Sequence, residues 1–135
     1  MAFDRIDVVT IEETVTVTNA VKDDLSTTIP AGASIVAVSA NLDTTIVGDA
    51  SGDNLLAKVG IGTSGDPDLL GLTADLVKNT KITKMVTPTP LASATTIQVG
   101  AAKTDGSAAT EKFVAGGKVS VKITYLIPKA LPDVA

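Results

Sequence analysis

The stretch GKVSVKITYLI, residues 117–127, changes side-chain character at every step. Val119, Val121, Ile123, Tyr125 and Ile127 fall on one side, and Lys118, Ser120, Lys122, Thr124 and Leu126 on the other. Period two is the geometry of a β-strand with one face on a core and the other on water or a partner. Gly116 and Gly117 supply a turn before it, and Pro128 a stop after it.

The rest of the chain agrees with that strand. Its 135 residues suffice for one core, so a single domain spanning 1–135 is expected, with residues 1–11 and 128–135 as candidate extended arms. Aromatic residues make up only 2% and Trp is absent, so the core must be aliphatic. There are 19 Thr and 16 Val, both stiff at the first side-chain torsion and favoured on a pleated surface. An all-β domain follows.

Outward from the opening stretch, turn signals separate further strand candidates. Ile6 and Val8 share one phase and Val15 and Val17 another, which predicts a bulge or kink near Glu12. Pro30 and Gly32 form a turn before a buried strand over Ile35–Leu42. Residues 44–54 read as a strand end running into a loop. Leu55–Ile61, Ile82–Val86, Thr95–Ala101 and a short piece at Thr110–Val114 complete about eight strands, a number that suits a β-sandwich or jelly roll. One short helix is expected near residues 67–78, with Asp66 as cap, Pro67 at its first position, and Leu69, Leu72, Leu76 and Val77 at near-helical spacing. The last residues, PKALPDVA, read as an extended tail.

Composition also excludes chemistry. With no Cys and no His there is no thiolate nucleophile, no sulfur-ligated metal and no imidazole base, which removes hydrolase triads and zinc sites. The expectation is a protein that is not an enzyme and has no cofactor. A net charge of -4 disfavours nucleic acid as a partner. The N-terminus lacks a basic region followed by an apolar block, and no apolar run is long enough to cross a bilayer, so neither export signal nor membrane anchor is expected.

GIGTSGDPD, residues 60–68, contains a literal G-x-G-x-x-G. That motif binds a dinucleotide only between a strand and a helix, where backbone N–H groups and a helix N-terminus meet the pyrophosphate. Here Asp66 and Asp68 stand where the anion would lie, and no acidic residue near Thr80 is placed to hold a ribose. A structural turn is the better reading. Asp49, Asp53, Asp66 and Asp68 lie on two loops and could meet around Ca²⁺, yet neither loop has EF-hand spacing, and short acidic residues favour turns in any case. Lys78, Lys81 and Lys84 read as a solvated strand edge. Phe3 and Phe113 read as core or intersubunit plugs. Val8, Val9, Leu126 and Ile127 interrupt strict alternation, so some strands are expected to be apolar on both faces, the second covered by a neighbour.

Charge is unevenly distributed along the chain. Residues 1–77 carry 12 of the 15 acids and 3 of the 11 bases. Either strands of the two halves interleave and mix these charges, or the subunit has an acidic and a basic side suited to joining copies or a charged lattice.

Three stretches, TIPAGASIVAVSANLDT, VGIGTSGDPDLLG and DGSAATEKFVAGGKVSVKITYLIP, together resemble the small virion proteins of tailed bacteriophages. The similarity is greatest to the capsid decoration, or cement, proteins, with tail-associated sandwich proteins next. It covers most of the chain in the order of its turns and strands. It implies a non-enzymatic structural protein, often a homotrimer, that binds the major capsid protein on the outer capsid surface and stabilises the shell after expansion. Location in the virion, with assembly in the host cytoplasm, goes with that reading. The alternative is a tail- or fibre-associated module that binds another virion protein or a cell-surface glycan. No individual contact residue carries over.

Overall fold

The computed structural model describes residues 4–130. The opening stretch is the last strand, β8 (Lys118–Ala130), and its alternation is realised: Val119, Val121, Ile123 and Tyr125 are buried in the core. It does not stop at Pro128. Val17 donates to Gly117 O and Asp43 to Lys118 O, so odd residues of β8 bond to one neighbouring strand and even residues to the other. On the even side the neighbour has already ended, at Ser34 opposite Leu126, so the missing N–H of Pro128 costs no ladder bond.

Seven further strands precede it: β1 (Asp4–Thr16), β2 (Lys22–Ile29), β3 (Ser34–Leu42), β4 (Lys58–Thr63), β5 (Asp66–Leu72), β6 (Lys81–Met85) and β7 (Thr95–Ala102). They form two antiparallel sheets, sheet A in the order β1-β8-β3-β6 and sheet B in the order β2-β7-β4-β5. The first strand pairs with the last, the second with the seventh, the third with the sixth, and the two middle strands with each other. This is one long hairpin wound on itself, the order of an eight-stranded jelly roll. Both sheets mix strands from the acid-rich and base-rich parts of the sequence, so the charge asymmetry is interleaved rather than segregated by sheet.

Between the sheets lies an aliphatic core in which Ile29, Leu42, Ile61, Ile97 and Ile123 are fully enclosed. Each such side chain contributes about 1.5–3 kcal/mol relative to exposure. Phe113 is the large plug at one end, and it too has no exposure.

Several local expectations are corrected. β1 runs without a bulge at Glu12: its register against β8 is unbroken from Asp4 opposite Ala130 to Thr16 opposite Lys118. One inward phase, Val9, Ile11, Glu13, Val15 and Val17, passes through an acidic residue. Glu13 is tolerated there because its carboxylate accepts from the Ser26 backbone N–H (2.8 Å) and hydroxyl (2.7 Å), tying sheet A to β2. Ile6 and Val8 therefore point outward. Residues 4–11 and 128–130, placed in the candidate arms, belong to the β1–β8 ladder, with residues 4–6 opposite 128–130 and residues 7–11 opposite 123–127; Phe3 and the remainder of both arms lie outside the described residues.

The helix near residues 67–78 is absent. Asp66–Leu72 is strand β5, paired out of register with β4 and burying Leu70, and Leu76 packs against the core from the turns that follow. β2 carries only two inward apolar residues, Leu25 and Ile29, and had no strand signature in the sequence. Residues 110–114 contribute a single bridge, Phe113 opposite Gly48, rather than a strand.

The glycine motif has a packing explanation. Gly60 and Gly62 alternate with buried Val59 and Ile61, and the register shift in the β4–β5 hairpin lays the β5 backbone over them. A Cβ at Gly60 would lie 2.6 Å from the Pro67 carbonyl oxygen. At Gly62 the Asp66 carbonyl oxygen is closer still. Only glycine permits that approach. Gly62→Ala is expected to cost roughly 1–3 kcal/mol by forcing the hairpin apart. Chemical denaturation checks this, and an unchanged midpoint would contradict the packing argument.

Candidate functional site

Asp66 and Asp68 begin β5 behind the Ser64-Gly65 turn, with no helix to receive an anion. Their carboxyls share a hydrogen bond that raises the Asp68 pKa, while Lys84 acts in the opposite direction. Asp49 and Asp53 lie on the loop between β3 and β4. Among the described residues no three carboxylates gather into a group able to hold a metal ion.

That loop is built around other bonds. Glu111, 7% exposed, accepts from Ala50 N (2.7 Å) and Leu56 N (2.8 Å), and Thr110 Oγ1 accepts from Asp53 N (3.0 Å) and Asn54 N (2.8 Å). Asp49 accepts from the Ser51 hydroxyl, from Asn19 Nδ2 and from the Ser51 N–H, which hold its pKa down to about 2. Asp43 is lowered by the Ser120 hydroxyl and Asn41, and Asp105 by the Ser107 hydroxyl and N–H. A carboxyl lowered by folding stabilises the native state above its ordinary pKa of 3.8, and that contribution is lost as pH falls through the lowered value. Asp68 has the opposite sign, stabilising at acid pH and losing that effect as pH rises. The loop of residues 48–54 is therefore expected to loosen between pH 4 and about 2. An NMR titration of the Asp49 carboxyl checks it, and a midpoint at 3.8 would contradict the bonding pattern.

Lys81 and Lys84 sit on β6, the edge of sheet A, as a solvated edge requires. Beside them lies the feature that stands out. On the outer face of sheet A the register places Val8 beside Leu126, and in the next row Thr10, Thr124, Ala37 and Met85. Ile6, Val8 and Met85 are 64%, 68% and 78% exposed. Hydroxyls in this region bond to each other, Thr10 to Thr124 at 3.1 Å and Thr14 to Ser120 at 3.2 Å. Among the described residues its one ion pair is Glu12 with Lys122 at 3.5 Å. At the Val8 and Met85 end of this face apolar side chains stand beside hydroxyls bonded to each other, while toward the other end Asn41 Oδ1 is buried without a partner among the described residues. Each sheet also has a shallow polar groove, lined in sheet A by Ser39, Asn41, Lys81 and Thr83 and in sheet B by Lys22, Asp24, Thr63, Ser64, Thr96 and Gln98.

Two-sided apolar character at Val8, Val9, Leu126 and Ile127 was legible in the sequence, and Val9 and Ile127 do pack against the core while Val8 is exposed. Met85 was not singled out. Continuing the Val17, Val15, Ile11, Val9 phase through Glu13 would have turned Ile6 and Val8 outward without a structure.

The same winding occurs elsewhere. A chain in the acidic stable capsid structure of Helicobacter pylori bacteriophage KHP30 superposes with a TM-score of 0.59 at 13% identity, covering 100% of both chains. This chain has the fold of a phage-capsid chain. A second, in the capsid of Ralstonia phage GP4, gives a TM-score of 0.57 at 14% identity over 90% of this chain and 84% of that one. No protein-family model matches the sequence, and no curated protein matches it. At these identities the likeness is one of fold, and the outer face of sheet A must be interpreted from its own residues.

Proposed function

We propose that this protein is a non-enzymatic structural component of a phage particle that binds the outer surface of the capsid and stabilises the shell. The observation that carries the reading is the outer face of sheet A, where Ile6, Val8 and Met85 stand exposed among hydroxyls bonded to one another. Burying the rows of Val8 with Leu126 and of Thr10 with Met85 against a capsid subunit removes apolar area from water. The full-length likeness to a chain of a phage capsid supports the same reading.

Stabilisation then works by mass action. A ligand that binds the assembled shell, and binds its separated subunits less well, opposes rupture in proportion to its selectivity. The paired ends of β1 and β8 carry most of the contact. Purified protein added to expanded capsids that lack it should bind and raise their resistance to heat. Absence of binding, or binding without a gain in resistance, would sink the proposal.

A further inference from the structure

Four strands lie at sheet edges, and three carry a device that discourages pairing. β6 is 5 residues long, presents Lys81 and Lys84 and runs toward Pro88 and Pro90. β5 contains Pro67 and is out of register with β4 beyond Ile61. β2 shifts register between Asp24 and Thr28 and carries Lys22, Asp23 and Asp24. β1 carries charges too, Arg5, Asp7, Glu12 and Glu13, but it is neither short nor interrupted: 13 residues, no Pro, Gly or Lys, and an unbroken register. A long regular edge without such protection is a template for another strand.

The chemistry of that edge follows from the ladder. The Val17 N to Gly117 O bond (2.8 Å) fixes the odd-numbered residues of β1 as those bonded to β8. The N–H and C=O groups of Ile6, Val8, Thr10 and Glu12 therefore point away from the sheet. Among the described residues no backbone group accepts or donates to them. Their side chains occupy the exposed outer face, so the free backbone edge and the apolar patch belong to the same residues.

We infer that β1 pairs antiparallel with β1 of a second copy, joining two A sheets about a two-fold axis at Val9. Opposed residues in such a pair share a face, so only registers matching even with even residues are open. Centred on Val9, Val8 meets Thr10 of the other copy, Ile6 meets the methylenes of Glu12, and Arg5, paired with Asp7 in its own chain, lies twice opposite Glu13, whose carboxylate accepts from Ser26. Centring on Val8 would put Arg5 opposite Ile11, and centring on Thr10 would put Asp7 opposite Glu13 as like charges. The Val9 register alone of these three pairs charges of opposite sign. It also fuses the two apolar patches into one, so that a dimer presents a doubled face. This pairing does not depend on capsid binding, and it gives a two-fold pair where the resemblance to decoration proteins implies a trimer.

Light scattering and sedimentation equilibrium of the full chain over a wide concentration range test it. The expected mass is twice that of one chain. Val8→Pro removes an N–H that faces only the free edge, so it should leave the fold and melting temperature in place and yield a single-chain mass. Thr10→Lys sets a cation on the edge and should weaken the dimer at least tenfold. A wild-type mass of one or three chains overturns the inference, as does a dimer that survives either substitution in folded protein.

Discussion

Phe113→Ala is expected to destabilise the protein by roughly 3–5 kcal/mol, a large share of the roughly 5–15 kcal/mol that holds a domain of this size together. Phe113 has no exposure, and truncating it leaves a cavity that aliphatic neighbours on rigid strands cannot close. The backbone at Phe113 and Val114 also anchors two segments: Phe113 N donates to Ala20 O at 2.9 Å and Asn19 Nδ2 donates to Phe113 O at 2.8 Å, while Val114 N donates to Val47 O at 2.8 Å. The loop held by Glu111 adjoins it, so loosening should spread to residues 48–56. Urea denaturation with an unchanged slope and a much lower midpoint is the expected result. A loss below about 1 kcal/mol would mean that the end of the barrel repacks, and the plug assignment would fail.

The second large effect concerns function. Val8→Glu together with Met85→Glu places two carboxylates on the face assigned to the capsid, and capsid affinity should fall by more than a hundredfold, about 3 kcal/mol. Both positions are exposed, so stability should change by no more than about 0.5 kcal/mol. Met85 lies on the opposite edge of sheet A from β1, so Met85→Glu alone reports on the face without touching the proposed β1 pairing. Co-sedimentation with expanded capsids measures both variants. Undiminished binding by the double variant would move the contact away from sheet A.

The parts of the fold that were legible in sequence are those where periodicity and burial coincide. β8 shows both, as do β3 and β7 within a residue or two. β1 was misphased because Glu13 occupies an inward position, a choice explained only by the Ser26 groups that a different sheet brings to it. β2 was hidden for a similar reason: an edge strand with two buried residues in eight resembles a polar loop. The expected helix arose because Leu69, Leu72 and Leu76 have helical spacing although the first two lie on strand β5 and the third in the turns after it. Of the functional face, sequence could give the apolar residues but not their rows, since which residues become neighbours across β1, β8, β3 and β6 depends on the winding. Met85 gains meaning only from standing beside Ala37.

A cryo-electron microscopy reconstruction of expanded capsids with the protein bound tests the central claim most directly. Density for the jelly roll should lie on the outside of the shell with sheet A turned toward it, and with Val8, Leu126 and Met85 at the contact. Density on the inside, no ordered density at saturating protein, or the polar groove of sheet B facing the shell would contradict it.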